Sequence, residues 1–313
     1  MTHDRPVPTE MYRTGLGSAW HGDALDLLED VQSSSVQLIL TSPPFALQRK
    51  KSYGNQLHAE YVEWFKPFAG EFMRVLRDDG SLVIDIGGTW NKGLPTRSMY
   101  HFDLVLMLTR ELGFHLAEEF YWYNKAKLPT PAAWVTIKRI RVKDAVNPVW
   151  WLGKTAWPDA DNRRVLRKYS PAQRKLLDRG SYNAGRRPSG HVISAKGFQT
   201  DHGGAIPPNL IEVANTRSFD PYQKYCRQMG FTPHDARFPR EVPEFFVKFL
   251  SKPGDLVLEP FAGSNMVGAV AQELGRRWRS FELNWDFAEG SMGRFLAVED
   301  LDPLEGPQPK QET

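Results

Sequence analysis

Two short runs of almost uninterrupted apolar residues, Val36–Leu40 and Ser81–Ile86, bracket a segment whose apolar residues recur at helical spacing. In that segment, Glu60–Leu76, the repeat is carried by Val62, Phe65, Phe68, Ala69, Phe72, Val75 and Leu76. Strands without a polar face must be covered on both sides, and strand–helix–strand alternation of this kind predicts a parallel α/β sheet. The pattern continues with a helix over Phe102–Leu112 and strands over Leu116–Tyr123 and Val146–Leu152. It resumes later with a helix over Pro239–Leu250, a strand over Asp255–Glu259, a helix over Ser264–Leu274 and a strand over Arg279–Leu283. Asp78-Asp79-Gly80 is expected to be a turn that stops the first long helix.

Between Lys154 and Thr232 the periodicity decays into Pro, Gly, Arg, Asn and Ser. A stretch this long without regular elements points to a functional insert or a subdomain. The expected organisation is therefore one domain in two halves, residues 12–153 and 233–298, interrupted by an insert over 154–232. The Pro- and Glu-rich stretch 299–313 is expected to be a disordered tail.

The 313 residues suffice for a full core, and 41% hydrophobic with 25% charged residues is ordinary for a globular protein. No apolar run approaches bilayer length, and the N-terminus lacks the pattern of a signal peptide, so a cytoplasmic location is expected. Cys226, the single cysteine, excludes an internal disulfide and a cysteine-based zinc cluster. Net charge is only +3, but basic residues crowd Lys125–Lys143 and Arg163–Arg187, either as a phosphate-binding face or as a solvated surface.

Two motifs follow strands. Thr41-Ser42-Pro43-Pro44-Phe45 leaves the first strand, and its prolines make a stiff, extended end bearing a hydroxyl and an aromatic ring. Alone it reads either as a strand-terminating turn or as a holder for a flat, polar-edged ring. Pro260-Phe261-Ala262-Gly263-Ser264-Asn265 leaves a later strand and opens a helix, with small residues that admit a ligand to the backbone. Glu282 ends the next strand, the usual place for a carboxylate that holds ribose hydroxyls. There is no G-x-G-x-x-G and no G-K-[ST], so neither a dinucleotide site nor a P-loop is supported.

Taken together, the Phe-x-Gly-Ser-Asn turn, the Glu at the next strand end and the Ser-Pro-Pro-Phe strand end resemble S-adenosylmethionine-dependent amino-group DNA methyltransferases. The order, catalytic motif first and cofactor motif last, is that of the family's β arrangement. His21–Ala24 and His234–Pro239 resemble further family elements. In detail the chain is similar to the PvuII-type N4-cytosine branch, through Thr41–Lys51, Lys143–Trp151 and Arg187–His191. The family's more general tetrapeptide begins with Asp or Asn. Ser at position 42 is the version associated with cytosine N4 acceptors.

The resemblance implies a Rossmann-like methyltransferase sheet, mostly parallel with helices on both faces, and a DNA-recognition insert. It implies a site-specific cytosine-N4 methyltransferase of a restriction–modification system, using S-adenosylmethionine and no metal on double-stranded DNA, as a monomer or homodimer away from membranes. Ser42 and the Pro43 carbonyl would accept from the cytosine amino group, beside Pro44. A flipped-out base would stack on Phe45. The surplus proton would leave to solvent or through a weak relay. Asp23 would meet the cofactor adenine, or serve only as a helix cap. Phe238 would stack on the adenine, and Glu282 would bind the ribose. Thr41, Pro260, Phe261, Gly263, Ser264 and Asn265 would complete the cofactor site. Arg49, Lys50 and Lys51 would clamp phosphates or form a plain solvated loop, and Arg186, Arg187 and His191 would read base edges. Cys226 would be a bystander. The competing readings are an adenine-N6 methyltransferase and a non-catalytic DNA-binding protein of the same fold.

Overall fold

The computed structural model describes residues 6–46, 57–58, 60–180, 183–194, 200–216 and 220–304. The chain forms two compact units, residues 1–160 with 209–313, and residues 161–208. In chain order the elements begin with β1 (Thr9–Arg13), β2 (Gly17–His21), α1 (Ala24–Glu29), β3 (Val36–Thr41) and α2 (Tyr61–Val75). They continue with β4 (Leu76–Asp85), α3 (Tyr100–Arg110), β5 (His115–Tyr123), β6 (Val146–Gly153), α4 (Pro171–Arg179), β7 (Gly185–Arg186) and β8 (Val192–Ile193). The series ends with β9 (Leu210–Glu212), α5 (Pro221–Met229), α6 (Glu241–Leu250), β10 (Leu256–Glu259), α7 (Met266–Glu273), β11 (Arg277–Glu282) and α8 (Trp285–Ser291).

Nine strands form one sheet in the order β1-β2-β11-β10-β3-β4-β6-β5-β9. The run from β2 through β11, β10 and β3 to β4 is parallel. β6 is antiparallel to both neighbours, β4 and β5, and β1 is antiparallel to β2. Every residue of β3 is buried, as a central parallel strand requires. Alternation across β6 shows that both faces are covered. Trp150 and Leu152 pack in the core built by α1, α2 and α3, whereas the intervening Trp151 meets Phe249 of α6 at 5.1 Å between ring centroids.

The two expected halves meet at the centre of this sheet. From β3 the chain crosses through α2 to β4 on one side, and from β10 it crosses through α7 to β11 on the other. Between β3 and β10 the strand order therefore reverses, and ligands of open α/β sheets bind outside the strand ends at such a point.

Several elements differ from the sequence reading. Asp78-Asp79-Gly80 is no free turn: α2 passes directly into β4, and these residues form an irregularity where the pairing with β3 slips. β1, β2 and α8 were not expected, because each is short and its apolar residues form no run. The range 154–232 contains two helices, α4 and α5, and only its residues 161–208 stand as a separate unit. Both helices carry few apolar residues but clear ends. Ser170-Pro171 and Asp220-Pro221 cap their starts, and Gly180 and Gly230 close them in the left-handed region. Residues 299–304, expected to be loose, are tied to β1. Arg13 and Asp302 exchange both backbone hydrogen bonds, and Asp300 accepts from the Gly15 N–H at 2.6 Å. No helix of the described residues is long and apolar enough to cross a membrane.

Candidate active site

Ser42 follows β3 and Pro260 follows β10, and the two strands pair through Leu38 with Val257 and Ile39 with Leu258. Both turns therefore open at the same edge of the sheet, onto one cavity of about 370 Å³. Ser42, Pro43, Pro44 and Phe45 line it, and so do Asp23, Phe238, Pro260, Phe261, Gly263, Ser264 and Glu282.

One wall is polar and buried. Ser42 Oγ donates to Asp85 Oδ2 at 3.1 Å, and Asn147 Nδ2 donates to Asp85 Oδ1 at 3.3 Å. Asp85 is the last residue of β4 and is 2% exposed. Burial pushes its carboxyl up to about 7, opposed by the hydrogen bonds from Asn147 and Ser42 and by the charge of Lys127. Neither Asp85 nor Asn147 was assigned a role from the sequence. Asp85 was absorbed into the apolar run Ser81–Ile86; the signal that could have found it is an acid interrupting a buried strand beside the motif strand. Phe45 lies against Gly87, where a Cβ would come within 2.5 Å of the ring, so glycine is what admits the aromatic side chain. Trp122, Asn124 and Lys127 extend this wall, with Trp122 6.2 Å from Phe238 between ring centroids.

The opposite wall is a backbone cradle. Gly263 has φ +52°, a conformation that favours glycine, and its N–H donates to Glu282 Oε2 at 2.7 Å. The Asn284 N–H donates to the other carboxylate oxygen at 2.8 Å. Burial pushes the Glu282 carboxyl up against these bonds. Phe261 is held by Trp64 and Phe68 at 6.0 and 5.1 Å. Ser264 accepts from Arg294 at its carbonyl (2.6 Å) and its hydroxyl (3.0 Å). Arg294 is in turn fixed by Asp220 through two bonds of 2.8 Å. Asp23 caps α1, accepting from the Leu25 N–H at 2.9 Å, while also lining the cavity, so its two expected roles are compatible.

Two residues expected to touch the cofactor stand behind the cavity wall. Thr41 is fully buried and donates to Glu259 Oε1 at 2.7 Å; Glu259 lines the cavity in its place. Burial drives the Glu259 carboxyl well above the usual range. Asn265 is fully buried in the left-handed region and caps α7 through the Gly268 N–H at 3.1 Å. It also accepts from Ser280 Oγ at 2.8 Å and donates to Tyr12 Oη at 2.9 Å.

In the second unit Arg186, Arg187 and His191 lie on one hairpin, β7–β8, whose turn is closed by Arg187 N–H to His191 O at 2.8 Å. Arg49, Lys50 and Lys51 lie outside the described residues. Among the described residues no group of three or more His, Cys, Asp or Glu is arranged to hold a metal ion. Cys226 is buried on α5 and does not line the cavity.

A family profile described as DNA methylase matches residues 36–293. The chain is 48% identical over 287 residues to the type II methyltransferase M.PvuII of Proteus hauseri, covering 91% of this chain and 85% of that protein. The solved PvuII DNA methyltransferase (cytosine-N4-specific) superposes with a TM-score of 0.75 at 43% identity, over 93% of this chain and 90% of that one. A Thermus thermophilus protein solved with S-adenosyl-L-methionine shares the fold, with a TM-score of 0.54 and 22% identity, over 88% and 91% of the two chains.

Replacing Asn265 with alanine removes the α7 cap and two buried hydrogen bonds. The expected loss is about 2–4 kcal/mol of stability, read by urea denaturation with an unchanged slope.

Proposed function

The chain belongs to the DNA methylase family, and from that premise we propose that it is a site-specific DNA methyltransferase acting on the exocyclic N4 of cytosine in duplex DNA. In the cell it would act in the cytoplasm, as a monomer or homodimer, protecting DNA in a restriction–modification system. The observation that carries this reading is the shared cavity at the strand-order reversal. There the Ser42–Asp85–Asn147 cluster faces the cradle Pro260–Ser264 and Glu282.

The cradle suits S-adenosylmethionine. Glu282, its carboxylate oriented by two backbone N–H groups, accepts from the ribose hydroxyls. Asp23 accepts from the adenine amino group, with Phe238 as an aromatic neighbour. Phe261, Gly263 and Ser264 enclose the methionine part, and Thr41 and Asn265 hold the wall from behind. Bound there, the cofactor supplies a methyl group on a sulfonium sulfur, which retains the electron pair when the carbon–sulfur bond breaks.

The cytosine amino group is a weak nucleophile because its lone pair is delocalised into the ring. Accepting its N–H bonds at Ser42 Oγ and the Pro43 carbonyl draws the nitrogen towards tetrahedral geometry. Phe45 and the stiff prolines fix the ring, and this positioning supplies much of the rate. A duplex base reaches such a cavity only after leaving the stack. Once the new nitrogen–carbon bond has formed, the surplus proton passes to Ser42 Oγ as the serine proton moves to Asp85. A carboxylate held near pH 7 by burial suits that task, better than the weak relay expected from serine alone. The second unit, with Arg186, Arg187 and His191 on its hairpin, reads base edges, and Arg49, Lys50 and Lys51 contact phosphates.

Nucleoside analysis of DNA methylated by the purified protein tests the assignment directly. N4-methylcytosine is expected; N6-methyladenine as the sole product overturns it. Ser42→Ala is expected to lower kcat at least about 100-fold, while calorimetry finds cofactor affinity nearly unchanged. Because Asp85 must be ionised to take the proton, kcat is expected to rise with pH through about 7. Asp85→Asn is expected to remove that rise along with most of the activity in a pH–rate series.

A further inference from the structure

The loop that joins β5 to β6, residues 124–145, carries features that methyl transfer at Ser42 leaves unexplained. It starts in the active site, where Asn124 and Lys127 line the cavity, and returns just before Asn147, which holds Asp85. Its tip points into water: Ile137, Ile140 and Val142 are 75%, 56% and 87% exposed. Around them stand Lys138, Arg139, Arg141 and Lys143. The loop's single acid, Asp144, is taken up by Arg97 in a two-pronged pair at 2.7 and 2.8 Å.

This loop is built rather than slack. Ala133–Ile137 form a wide helical turn, and the Ile140 N–H donates to the Trp134 carbonyl at 2.9 Å. Lys143 Nζ donates to the carbonyls of Lys125 and Lys127 at 3.0 and 3.3 Å, clamping the base of the loop. Arg141 lies over the Trp90 ring at 4.6 Å. Holding three aliphatic side chains in water gains the fold no burial. A surface that alternates such side chains with cations suits a polyanion that also offers an apolar gap. A duplex with one base turned out has both: phosphates on its rim and an unstacked hole within.

We propose that the tip, residues 137–142, enters the duplex beside the target base. There Ile137, Ile140 and Val142 fill the vacated stack while Lys138, Arg139 and Arg141 hold the flanking phosphates. This rests on the reading of the chain as a base-flipping DNA methyltransferase. In that setting the loop couples the two sides of the event: its tip occupies the hole, and its feet receive the base that left it.

The test uses the full chain and two duplexes carrying the target site located by methylome sequencing. One pairs the target cytosine with guanine, and the other sets it opposite an abasic position, where flipping costs less. The variant Ile137→Ser/Ile140→Ser/Val142→Ser is expected to lose at least about tenfold in methylation of the paired duplex and to stay within about threefold of wild type on the abasic one. Val142→Ser alone, at the most exposed position, is expected to show the same preference at smaller size. An equal loss on both duplexes, or no loss on the paired one, overturns the proposal. Wild-type protein that methylates neither duplex overturns the functional reading beneath it as well.

Discussion

The hydrogen bond from Thr41 to Glu259 joins the ends of the two central strands at the point where the strand order reverses. The Ser-Pro-Pro-Phe segment and the glycine turn both hang from those two ends. One residue past Thr41 begins the stiff Ser-Pro-Pro-Phe segment, and one residue past Glu259 begins the cradle. The bond is wholly buried, and Glu259 lies within reach of the Glu282 charge, so its carboxyl is held well above its usual range. The two walls of the cavity are thus locked in register by a single buried hydrogen bond.

Much of this arrangement was legible in the chain. β3, β4 and α2 announced themselves because a doubly covered strand must be apolar throughout and a helix against it must be apolar every three to four residues. The strand-end motifs were visible as chemistry, and Ser42, Phe45, Phe261, Gly263 and Glu282 all reach the cavity. What escaped was of three kinds, the third being Asp85. α4 and α5 have few buried side chains to write a periodicity, although their Ser-Pro and Asp-Pro starts and glycine stops were present. Thr41 and Asn265 sit within functional motifs yet face inward, and motif membership alone carries no information on which side of the backbone a residue points.

Asp85 was hidden for a different reason. Its partner Ser42 is 43 positions away, just past the end of the neighbouring parallel strand, and Asn147 comes from an antiparallel strand 62 positions further on. Only the register between β3, β4 and β6 brings them together, and register is set by packing on both faces of the sheet. The same burial that makes the strand read as apolar is what lifts the carboxyl to about 7. The property that concealed the residue in the sequence is the one that fits it for proton transfer.

The contact between Thr41 and Glu259 spans 218 positions of chain. A ribosome therefore releases the acceptor strand, the prolines and the basic β5–β6 loop long before it makes the strand that must slot between β3 and β11. Until β10 arrives the sheet has a gap at its centre and the cavity has one wall. A nascent chain, or one ended early, can already present cationic surface to nucleic acid but has nowhere to assemble the transfer site. Pairing over so long a separation is also intrinsically slow to form. The order of segments thus makes methylation a property of the finished polypeptide alone.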